Sequence, residues 1–125
     1  MQAFHIHEFA TEGNDCSSTG GHYNPYDGEH GPLDAPDRHV GALGNIPVGG
    51  EYEITDGMVT LDGEHSAIGK SIVIHEGEDD FGPPMGNAGP RVACGTIELV
   101  ETTESAATQL GYFALALAAT LAYAF

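Results

Sequence analysis

A chain of 125 residues with eighteen glycines, seven prolines and no tryptophan has room for one small domain, built on turns rather than long helices. Its formal net charge is −16, and its cations number three: Arg38, Lys70 and Arg91. That balance excludes a nucleic-acid binder, which needs clustered Lys and Arg, and excludes charge-driven adhesion to an anionic membrane.

The chain opens on MQAFHIHEF, with neither a basic start nor a long apolar run, so no secretory signal is read there. Phe4, Ile6 and Glu8 belong to an alternating opening strand. His5 and His7, two apart on it, leave the same face, a spacing that lets one strand offer two imidazoles to a single metal ion. From Thr11 to Arg38 the chain is rich in Gly, Pro and Asp and too polar for a core strand. That loop carries Cys16, His22 and His30, with His39 at its edge. Short strands are predicted at Leu43–Pro47, Glu51–Thr55, Met58–Leu61, Ser71–His75 and Val92–Val100, with Asp56-Gly57 and Asp62-Gly63 as turns. No helical periodicity persists over a full helix length, so residues 1–100 read as an all-β sandwich or barrel with long functional loops.

A polar, small-residue linker follows over residues 101–109, and residues 110–125 close the chain without a single charge. A helix there reaches only about 24 Å, short of the roughly 30 Å hydrocarbon core. Small residues before a terminal apolar tail suit a glycosylphosphatidylinositol anchor signal, with Ser105 as attachment candidate, although the spacer to Leu110 is short. The alternative is a C-terminal helix packed on the domain.

Two cysteines, Cys16 and Cys94, fit either one disulfide closing a long loop or two buried thiols. The order and number of the histidines point to a metal site, and their spacing alone does not choose among copper, zinc, iron and nickel.

The motifs FHIHEF, C…GGHYNP, HG, RHVG-LGN, IHEGEDDFG and GNAGPRVACGTI, in this order from Phe4 to Val100, resemble the Cu/Zn superoxide dismutase family. The resemblance implies a Greek-key, immunoglobulin-like β-sandwich or barrel with long metal-binding loops. It implies copper on His5, His7, His22 and His75, and a zinc side formed by His22, His30 and His39. Asp79 is implied as the carboxylate that links a copper-side and a zinc-side imidazole. Cys16 and Cys94 match the family's disulfide, and His65 matches no ligand. Arg91 is implied as the guide for superoxide, and His22 as a proton carrier while the copper cycles between oxidation states. A homodimer also fits the family.

Three departures qualify these expectations. Ala42 stands where the family's zinc site has an aspartate, which implies weak zinc binding or a copper-only enzyme. The loop between His75 and Arg91 is short, with Met85 where a threonine is usual, as in copper-only members that are secreted and anchored. The family's first strands, and with them a signal peptide, are missing ahead of His5, as in an N-terminally truncated chain. The expected function is therefore a copper-dependent superoxide dismutase, extracellular or at the cell surface. The alternative is a copper-binding or degenerate surface protein of the same fold without catalysis.

Overall fold

The computed structural model describes residues 1–49 and 51–100 in full and residues 113–118 by their backbone. The sequence FHIH puts two different surfaces on one strand, β1 (Gln2–His7). Phe4 and Ile6 are buried in the hydrophobic core on one face, while Ala3, His5 and His7 are buried on the other.

β2 (Ala42–Ile46) flanks β1 on one side, with His5 opposite Ala42. β4 (Ser71–His75) flanks it on the other, with Phe4 opposite Ile74 and His5 opposite Val73. β5 (Arg91–Thr96) adds outside β4 and sets Arg91 opposite His75. The sheet is antiparallel throughout, in the order β2-β1-β4-β5. A second, two-stranded sheet pairs β3 (Glu51–Asp56) with β6 (Phe113–Ala118). Between the layers pack Phe4, Ile6, Leu43, Ile46, Ile54 and Ile74, and the Phe4 ring meets Tyr52 edge-on at 5.7 Å. The all-β architecture is as expected.

Several boundaries differ. The strand expected at Met58–Leu61 is absent, and only Thr60 makes an isolated bridge, to Ser66. The Asp56 carboxylate accepts from Val59 N–H at 3.1 Å, taking a donor that a strand ladder needs. The strand expected to run to Val100 stops at Thr96, because Ile97 bonds to the loop carbonyl of Lys70 and leaves Leu99 and Val100 exposed. Phe113–Ala118 is a strand, not part of the packed helix weighed as an alternative. The linker and the Ser105 candidate lie outside the described residues.

Arg38 is a buried clasp. Its guanidinium lies 2.7 Å from Asp56 Oδ1 and donates to the carbonyls of Leu33, His39 and Val40. The metal-side loop is thereby fastened to β3. A disulfide joins Cys16 to Cys94 across 78 residues, tying the same loop to β5. Replacing both cysteines with serine is expected to cost about 4 kcal/mol of stability by the chain-entropy account. An unchanged denaturant midpoint for the double variant under oxidising conditions contradicts this.

Candidate metal centre

The histidines of the polar face are held by partners that decide which ring nitrogen is free. His5 donates from Nε2 to Asp79 Oδ2 at 2.8 Å, and His30 donates from Nε2 to Asp79 Oδ1 at 2.8 Å. His7 donates from Nδ1 to the Gly20 carbonyl at 2.8 Å, and His75 from Nδ1 to the Gly89 carbonyl at 2.9 Å. What remains is His5 Nδ1, His7 Nε2, His30 Nδ1 and His75 Nε2, and each is buried without a partner. A buried lone pair is costly unless something binds it. Four such nitrogens on one face fit metal cations.

They fall into two groups. His5, His7 and His75 bring ligand nitrogens within 4.8 Å of one another, and so do His22, His30 and His39. Three of the four residues expected for copper, His5, His7 and His75, form the first group. His22 gathers with the second group, its Nδ1 3.0 Å from His39 Nδ1. Its ring nonetheless lies between the groups, with its centroid 4.2 Å from His5 and 5.2 Å from His7. Ala42, opposite His5 in the register, is fully buried and contributes no ligand. Asp37 is exposed and joins neither group, and His65 stands apart against Tyr26.

Burial holds most of these rings neutral. Desolvation lowers His7 to about 4, against the raising effect of its bond to Gly20, and lowers His22 to about 2, helped by nearby His5. His39 and His75 are lowered for the same first reason. Burial pushes the Asp79 carboxyl up, but hydrogen bonds from His30, His5 and Phe81 N–H outweigh it and hold the group below its usual range. Buried, unpartnered ring nitrogens beside one ionised carboxylate suit a bound cation.

A pH prediction follows for the metal-free protein. With folded values below 6.5, the unfolded chain binds more protons over that interval. Stability is thus fully present above pH 6.5 and falls as the pH drops toward 4. Urea midpoints that rise on acidification across that range contradict it.

Arg91 lies beside His7, His22 and His75. It lines a cavity of about 250 Å³ together with His7, His22, His75, Met85 and Gly89. Its Nη1 donates to the Cys16 carbonyl and to Thr19 Oγ1, both at 2.9 Å. The disulfide-bearing turn, a 3₁₀ helix over Cys16–Thr19, therefore aims the guanidinium.

The copper/zinc superoxide dismutase (SODC) family matches residues 1–97. The chain belongs to that family. It is 49% identical to "Extracellular superoxide dismutase [Cu-Zn]" of Caenorhabditis elegans, over 78% of this chain and 49% of the relative, so it spans about half that protein's length. It is 46% identical to "Superoxide dismutase [Cu-Zn] 5" of Dictyostelium discoideum, over 77% of this chain and 70% of that one. Among solved structures, the clock protein EA4 superposes with a TM-score of 0.75 at 38% identity, over 79% of this chain and 70% of that chain.

Sequence reasoning on this chain missed three residues that hold the groups of the site in place. Asn45 exchanges two hydrogen bonds with the Asp79 backbone, at 3.1 and 2.7 Å. Gly86, at φ +82°, leaves room for the Asp79–His30 bond: a Cβ there overlaps the Asp79 carboxylate and comes 2.6 Å from His30 Nε2. Thr19, fully buried, holds Arg91. Asn45 and Gly86 sit inside the LGN and GNAG motifs, and an amide or a glycine wedged among ligand motifs is the signal that marks them.

Proposed function

We propose that this chain disproportionates superoxide, converting two superoxide anions and two protons into dioxygen and hydrogen peroxide. The observation that carries this reading is Arg91 sharing one cavity with three imidazoles, two of which present unpartnered buried nitrogens. Copper held by His5, His7, His22 and His75 supplies the one-electron couple, and imidazole ligation suits that metal.

The chain's own groups do the rest. Arg91 is the one described cation lining the cavity, and in a chain of net charge −16 it focuses a small anion toward the imidazoles. Asp79 fixes the His5 and His30 rings and their tautomers. His22 Nε2, the nitrogen left over when Nδ1 faces His39, would carry a proton whenever it is not a copper ligand. The test is pulse radiolysis of the copper-loaded chain, with the metal-free chain as control. Equal decay of superoxide in both rejects the enzyme and leaves the non-catalytic copper protein.

Zinc is proposed to bind weakly at His22, His30 and His39, since three imidazoles leave a four-coordinate ion one ligand short. In antiparallel pairs, opposed residues share a face, so Ala42→Asp aims a carboxylate to the His5 side. That variant is expected to keep zinc through dialysis against a mild chelator, while the unaltered chain loses it. One zinc retained per unaltered chain overturns the prediction.

An extracellular or cell-surface setting is supported by the disulfide and by the extracellular relative. The apolar tail, read as an anchor signal with attachment at Ser105, belongs to the same proposal.

A further inference from the structure

The cavity that holds Arg91 also holds a residue the dismutase reaction does not use. Met85 is 56% exposed at its mouth, and it supplies the only sulfur among the described lining residues. Deeper in lie His7 and His75, 2% and 7% exposed, whose Nε2 atoms have no partner. No carboxylate lines the cavity among the described residues. We infer that Met85 is a copper(I)-accepting residue, whose thioether takes the incoming ion at the surface and hands it to His7 and His75.

This inference rests on the copper centre proposed above. A thioether is a soft, neutral ligand that favours copper(I), whereas copper(II) prefers harder oxygen or nitrogen donors. Methionine is also long and flexible enough to swing between solvent and cavity. An ion bound for His7 and His75 has to shed water before it reaches them, and a sulfur at the rim offers a ligand for that step. Arg91 adds a second selection, because its repulsion of a divalent ion is twice that of a monovalent one at the same distance. The net charge of −16 draws both ions to the surface, so the discrimination lies in the cavity.

The experiment follows metal uptake, not turnover. Metal-free full-length protein is mixed anaerobically with copper(I) as its acetonitrile complex, or with copper(II) sulfate, then quenched with chelator, desalted and analysed for copper. Met85→Leu, which keeps apolar bulk, is expected to slow copper(I) uptake about 10-fold, a step comparable to losing a supporting group at a metal site. Copper(II) uptake and the final copper content are expected to stay as in the native chain. Met85→Ser should behave like Met85→Leu, since both lack the sulfur. Equal slowing of both ions overturns the inference by making Met85 a steric rim. Unchanged copper(I) uptake overturns it too. Native protein that holds neither ion rejects the copper centre itself, and the inference falls with it.

Discussion

Replacing His5 and His75 together with alanine is expected to abolish copper binding. Their free nitrogens, Nδ1 and Nε2, belong to the same group with His7, and both are buried without another partner. Loss of an outer-shell partner alone typically weakens metal affinity about 10- to 100-fold, so removing two ligands from one group goes well beyond that. The His5 change also releases one arm of Asp79, which then keeps His30 and the Phe81 N–H. Copper affinity by chelator competition and the Cu(II) spin-resonance signal, which should lose its nitrogen splitting, are the measurements. A cooperative urea unfolding transition shows that the variant is folded. Unaltered affinity in such folded protein means copper sits elsewhere.

Arg91→Glu is expected to keep copper and lose rate. Arg91 donates no bond to any of the histidines, and its two hydrogen bonds go to Cys16 and Thr19. Removing it leaves the imidazoles in place and reverses the charge in a cavity of about 250 Å³. Electrostatic focusing is worth about 10- to 1000-fold in association rate, so a drop of that order is expected at low salt. The gap should narrow as salt rises, since screening weakens attraction and repulsion alike. Arg91→Lys should fall between, keeping the charge but losing the planar guanidinium whose Nη1 bonds the Cys16 carbonyl and the Thr19 hydroxyl. Pulse radiolysis across a salt series, with copper content measured for each variant, decides it. Full copper with an undiminished rate in Arg91→Glu means another group guides the anion.

The parts of the centre written in side chains were legible in the sequence. His5 and His7 declare a shared face by their spacing, and the seat of His75 follows from its place at the end of β4. The Cys16–Cys94 link came through the family motifs, while cysteine count alone left two thiols open. The parts built from backbone were not legible. The carbonyls of Gly20 and Gly89 select the ring nitrogens of His7 and His75, and no residue type announces a carbonyl's direction. The role of Arg38 was unread for a related reason: no local pattern announces that Asp56, on a distant strand, lies 2.7 Å from its guanidinium. The apolar run at Met58–Leu61 drew a strand, yet a valine buried in a loop, as Val59 is, has the same letter.

Asp79 accepts from His5 with one oxygen and from His30 with the other, so a single carboxylate serves both groups of imidazoles. Thermodynamic linkage then makes their occupancies reciprocal. If a cation on the His30 side raises copper affinity by some factor, copper raises that cation's affinity by the same factor. With both ions bound as proposed, how long the second stays on the His30 side becomes a function of whether the first is present.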